Sequence, residues 1–215
     1  MKAEPVAIRS LTIKDLVKKQ LSQSVATITA VLHDESIHNA VLEAGRITAD
    51  AMKAGRKLMV CGNGGSAADA QHLVAEFVSR LTVDRPALRA IALTTDSSIL
   101  TAIGNDYSYD SVFERQVEAL GMEGDVLLAI STSGNSKNCV KALKLARTMG
   151  IQTVSYTGNN GGAMKALSDI NVIVPSNVTM NIQESHLALE HIFCMIVERC
   201  YFGPAFGEQS HEIAE

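Results

Sequence analysis

The sequence predicts an α/β fold, a doubly wound five-stranded parallel sheet covered on both faces, with a helical hairpin at its amino end. Three observations carry this. From residue 57 onward, short unbroken apolar runs alternate with helical periodicity, as expected of strands buried on both faces. Two helical patterns with no strand between them precede the first run. Two of the runs end in polar, glycine- or serine-rich loops that open helices, which is where such sheets bind ligands.

The hairpin comes first. Leu16, Val17, Leu21, Val25, Ile28 and Leu32 recur at helical spacing until Asp34-Glu35-Ser36 interrupts them. A second helix over about residues 37–54 places Val41, Ile47 and Met52 on its apolar side, and Gly55 fits its C-terminal cap. An apolar stripe so placed must pack on the rest of the chain or on a neighbouring subunit. The strand runs follow at residues 57–61, 89–93, 125–130, 153–157 and 170–174, the last stopped by Pro175. Helices are expected over about 66–80, 136–149 and 181–200. The order is that of a flavodoxin-like sheet. The chain divides into a helical segment (1–54), a ligand-binding domain (55–203) and a tail (204–215).

Composition bounds the function. The 215 residues are 47% hydrophobic and 20% charged, an ordinary globular balance for which disorder is not the default; aromatics are only 4% and Trp is absent, so the core is aliphatic. The net charge is −4 and no Lys/Arg run makes a nucleic-acid stripe; Lys137, Lys141, Lys144 and Arg147 read as a solvated helix face. No window approaches 18 consecutive apolar residues, so no membrane span is expected. Cys61, Cys139, Cys194 and Cys200 form no CxxC pair, and the N-terminus MKAEPVAIRS lacks an apolar leader. Free thiols in the cytoplasm are the expectation.

Two loops are chemically prepared. Gly62-Asn63-Gly64-Gly65-Ser66 lets the backbone approach a ligand closely, or is simply a tight turn. Ser131-Thr132-Ser133-Gly134-Asn135-Ser136 places four hydroxyls at a helix mouth, more than a cap requires. With the free amides and partial positive charge of the helix end, they make an anion site. No GK[ST] follows, so a monophosphate fits better than a nucleoside triphosphate. In the helix after the glycine loop, His72 and Glu76 share a face at i, i+4. That spacing suits a metal pair, an acid/base pair or an ordinary surface contact. Asp69, also near this face, orients the imidazole or caps the helix. The last helix carries Gln183, Glu184, His186, Glu190 and His191 among dense apolar residues, so its polar groups need partners. Gln183 and His191 stand about 12 Å apart along an ideal helix, a long reach for one ion. His186 is an alternative ligand or a hydrogen-bonded core histidine.

In order, CGNGGSAADAQHLVAE, LTTDSSILTAIGNDY, GDVLLAISTSGNS, TGNNGG and IQESHLALEH closely resemble the phosphoheptose isomerases of the SIS sugar-isomerase class. The resemblance covers about residues 15–203. It implies a single SIS domain. It implies that Asn63, Gly64 and Gly65 contact substrate, that Asn105 and Asp106 line the sugar site, and that Ser131, Thr132, Ser133 and Ser136 hold the phosphate. His72, Glu76, Gln183 and His191 match the family's metal ligands, for one divalent ion per subunit, usually zinc. His72, Glu76 and Gln183 also count among the substrate contacts, and Glu76 and His191 match the acid/base pair. A homotetramer with sites between subunits is implied, which would give the hairpin its partner. One departure is Met180-Asn181, where relatives often carry charges.

The activity so implied is aldose–ketose isomerisation of sedoheptulose 7-phosphate to D-glycero-D-manno-heptose 7-phosphate through a cis-enediol, the first step toward nucleotide-activated heptose. The rival reading is a non-catalytic SIS regulator that binds the bacterial replication initiator, which need not keep Glu76 and His191. A third, an SIS isomerase of hexose or pentose phosphates, fits the chain's length and last helix less well.

Overall fold

A computed structural model describes residues 12–206; residues 207–215 of the expected tail lie outside the described part. Helix α1 (Ile13–Leu32) starts at a capping box between Thr12 and Asp15, and α2 (Glu35–Lys53) starts at Asp34, whose carboxylate accepts from the amides of Ser36 and Ile37. The break at Asp34 is therefore a cap, and α2 begins two residues before the position expected. Then come β1 (Leu58–Gly62), α3 (Gly65–Val78), β2 (Ala90–Ala92), α4 (Ser97–Asp106), α5 (Glu114–Leu120), β3 (Val126–Ser131), α6 (Lys137–Thr148), β4 (Gln152–Gly158), β5 (Ile170–Val174) and α7 (Thr179–Phe202). Helices α4 and α5 were not among the expected elements: the first is short and buries no residue fully, and the second has only seven residues, so neither shows a long apolar stripe.

All five strands are parallel, in the order β2-β1-β3-β4-β5. Alternate strand residues feed two cores. Leu58, Val60, Leu128, Ile130 and Tyr156 meet α2, α3 and α7 on one face. Met59, Cys61, Leu127 and Ala129 meet α5 and α6 on the other. This two-sided burial is why the strands read as unbroken apolar runs. The chain passes outward from β1 to β2 and then crosses to β3 on β1's other side. The carboxyl ends of β1 and β3 thus flank the switch point where such sheets form a ligand crevice.

The two helices of the hairpin differ sharply. Helix α2 buries Ile37, Val41, Ala44, Ala49 and Met52 in the core. Helix α1 buries only Thr27 and Val31 and leaves Ile13, Leu16, Val17, Leu21, Val25, Ile28 and Leu32 exposed. It is held to α7 by a 2.7 Å bond from Gln20 Nε2 to Asn181 Oδ1. Asn181, part of the unusual Met180-Asn181 pair, is buried in that structural contact, whereas Met180 is exposed.

Candidate active site

The crevice has two ends. At the end of β3, Ser131 Oγ lies 2.9 Å from Ser136 Oγ and 3.5 Å from Ser133 Oγ. Ser136 occupies the N-cap of α6 yet makes no side-chain cap bond; its hydroxyl joins the cluster instead. Gly134 turns the loop at φ 65°, and a Cβ there would strike the Gly161 carbonyl, so the close approach of the two loops demands glycine. The TGNNGG segment buttresses the serine loop: Gly158 N donates to Thr132 O (3.0 Å), Met164 N to Gly134 O (3.0 Å) and Ala163 N to Asn135 Oδ1 (2.9 Å). The result is a converging set of hydroxyls at an uncapped helix N-terminus, an electrostatic fit for a phosphate.

At the end of β1, Gly64 adopts φ 57° and opens α3 without a side-chain cap. Asn63 exchanges two amide bonds with buried Asn138, of 2.9 and 2.8 Å, and Tyr109 Oη donates to Asn63 Oδ1 at 3.3 Å. This fixes the orientation of Asn63. No bond among the described residues joins Asn105 or Asp106 to the other site residues; both are exposed and bonded to each other at 2.7 Å. Tyr109, three residues beyond Asp106, makes the connection they do not. Neither Tyr109 nor Asn138 lies in a motif that signals chemistry, so sequence reading passed over both.

Helices α3 and α7 run side by side in the same direction, and their polar residues meet in rungs. On the first, Gln183 Nε2 donates to Asp69 Oδ2 at 3.1 Å, and the Gln183 amide lies so close to Gly65 that a Cβ there would overlap it. Burial raises the Asp69 carboxyl, and the Gln183 bond partly offsets this. Asp69 thus neither caps the helix nor bonds His72. A cavity of ≈ 350 Å³ lined by Asp69, Met180, Gln183, Glu184 and Leu187 opens beside this rung. On the second, His72 Nε2 lies 2.9 Å from His191 Nε2 and 3.5 Å from Glu76 Oε1. One ligand atom from each of these three residues falls within 4.8 Å of the others. Two imidazoles and a carboxylate converging this closely form a donor set suited to zinc or a similar divalent ion. Three of the four expected metal ligands thus come together, and Gln183 stands one rung away.

His186 is fully buried, with its Nε2 3.0 Å from the Thr157 carbonyl oxygen; burial lowers its pKa to about 4. It is a core histidine and not a ligand of the cluster. Glu190 lies buried beside His191 in sequence. Burial, with a smaller contribution from Asp69, raises its pKa to about 8, and neither of its oxygens has a partner among the described residues. Burial thus favours its neutral form.

The SIS domain family matches residues 21–158. Among curated relatives, phosphoheptose isomerase of Clostridium acetobutylicum is 48% identical over 91% of this chain and 100% of its own length. That of Akkermansia muciniphila is 55% identical over 75% of this chain and 85% of its own. The solved phosphoheptose isomerase of Neisseria gonorrhoeae superposes with a TM-score of 0.82 at 39% identity, covering 87% of this chain and 99% of the other. With the serine loop, the switch-point crevice and the His72–Glu76–His191 cluster all in place, the chain belongs to the phosphoheptose isomerase family of SIS-domain proteins.

Proposed function

We propose that this chain isomerises sedoheptulose 7-phosphate to D-glycero-D-manno-heptose 7-phosphate, the entry reaction of nucleotide-activated heptose synthesis. The observation that supports this is the meeting of Glu76 and His191, with His72, between α3 and α7 in a chain that also carries the serine loop. A regulator without catalysis would have no use for that meeting. The serine loop anchors the phosphate and so fixes C1 and C2 of the sugar at the other end. Asn63, Gly64 and Gly65 line the approach, with Asn105 and Asp106 as further sugar contacts.

Glu76 removes a proton from C1 of the ketose. The electron pair moves into the C1–C2 bond and onto O2, which takes a proton from His191, giving the cis-enediol. Glu76 then returns its proton to C2 while O1 gives its proton to His191, leaving the aldehyde at C1. His72, Glu76 and His191, with Gln183 as fourth ligand, are the residues that would hold zinc. Such an ion supplies Lewis acidity toward the substrate oxygens. Coordination also lowers the basicity of Glu76, so the two roles compete. Assay of the purified chain on sedoheptulose 7-phosphate, before and after chelation and zinc refill, tests the reading; no aldose product in any state would refute it.

The exposed apolar stripe of α1 supports a homotetramer, with α1 and the neighbouring exposed Leu187 and Ile192 of α7 at the subunit contact. Helix α1 then serves assembly, while α2 belongs to the core of the domain that carries the chemistry. Leu21→Glu with Val25→Glu is expected to shift the species seen by light scattering from tetramer toward monomer; an unchanged mass would argue against this contact. No described helix is long and apolar enough to cross a membrane, and the cytoplasm is the proposed location.

A further inference from the structure

Helices α3 and α7 together hold every residue of the acid/base cluster, and beyond its rung their contact turns apolar. Phe77 and Phe193 meet there edge to face at 5.9 Å. One polar group spans the two helices just beyond the cluster. Arg85 lies in the connection between α3 and β2, and its side chain is only 1% exposed. Its Nε donates to Glu198 Oε1 at 2.6 Å, its Nη2 to the Glu76 carbonyl at 2.6 Å, and its Nη1 to the carbonyls of Phe77 at 2.9 Å and Pro86 at 3.1 Å.

We propose that Arg85 is a positioning residue for the acid/base cluster, a clamp that locks the Glu76 end of α3 to α7. The last carbonyls of a helix have no partner within it, and a cation there satisfies them and complements the helix dipole. Arg85 satisfies two of them, one belonging to Glu76 itself. Glu198, at the clamp's other end, follows His191 by seven residues, two helical turns, and so shares its face of α7. Through one rigid planar fork, the backbone of Glu76 is thereby tied to the helix that carries His191. A buried ion pair adds little net stability compared with a well-packed apolar pair. What the fork adds here is a fixed register, which an ammonium group cannot supply. The serine loop lies outside this contact, so the clamp acts on the reacting end alone.

The kinetic part of this inference rests on the proposed isomerase activity; the metal-binding part does not. The test uses the full chain, cobalt(II) as a spectroscopic metal probe, and three variants. Arg85→Lys keeps the charge but cannot reach both carbonyls. Arg85→Met with Glu198→Leu replaces the ion pair by an apolar one. Glu198→Gln keeps an acceptor for Nε. Since misplacement by about 1 Å can cost on the order of a hundred-fold in rate, a fall of at least about ten-fold in kcat is expected for the first two. KM is expected to stay within about two-fold and cobalt affinity to drop about five-fold or more, with the double variant keeping its Tm. Glu198→Gln is expected to recover at least half of both properties. Parent-like kcat and cobalt affinity in either of the first two variants would overturn the proposal. So would a loss in Glu198→Gln as large as in Arg85→Lys, because charge would then outweigh geometry. Should the parent itself fail to isomerise the sugar, the functional reading falls, and cobalt affinity alone decides the clamp.

Discussion

The serine loop draws its hydroxyls from six consecutive residues, whereas His72 and His191 come from helices 119 positions apart in the chain and meet at 2.9 Å. The first is made by a local turn: Gly134 in the left-handed region, and an N-cap serine that spends its hydroxyl on Ser131 rather than on its own helix. The second exists only because the fold lays α3 beside α7. The difference also separates tasks. In the proposed reaction the loop binds a group that does not react, and the helix pair acts on the carbons that do. A locally built site tolerates the loss of one donor; a site built between elements depends on every member.

The largest expected effect is therefore at the helix pair. Glu76→Gln or His191→Ala is expected to lower kcat by about 10³-fold, within the usual worth of a positioned acid or base, with a smaller change in KM. Steady-state assays showing near-normal turnover in both would remove the distinction drawn here. Ser136→Ala, at the phosphate end, is expected to raise KM by about ten-fold with kcat nearly kept, since a hydrogen bond to a charged group is worth about 1.5–3 kcal/mol and its neighbours remain. A fall in kcat matching that of Glu76→Gln would show the two ends to be coupled.

The smallest effect concerns stability. His186, packed behind the helix pair, has a folded pKa of about 4 against an ordinary 6.5. Between those values the unfolded chain binds the extra proton, so stability falls as pH drops from 6.5 toward 4, by up to about 3 kcal/mol. His186→Gln keeps a donor for the Thr157 carbonyl without titrating. Thermal melts across that window are expected to be flatter for the variant; equal slopes would show that other groups carry the acid sensitivity.

Much of the fold was legible because strand burial on two faces leaves unbroken apolar runs, and because Gly55, at φ 76°, marks a helix end. Helices α4 and α5 were not, since short segments with few buried residues carry no period. The stripe of α1 was plain in sequence, but its exposure was not: periodicity tells that a face is apolar and not what covers it. Asn105 and Asp106 were legible only through resemblance, and the structure brings Tyr109 rather than either of them to Asn63.

The sequence by itself determined the sheet, the two loops at its carboxyl edge and the anion chemistry of Ser131–Ser136, because each depends on neighbours in the chain. Only the tertiary structure decided that His72, Glu76 and His191 form one cluster, that Gln183 stands a rung away with Asp69, that His186 is core, and that Arg85 spans α3 and α7. Those facts depend on how two helices are set against one sheet, and side-chain spacing along either helix alone does not contain that distance.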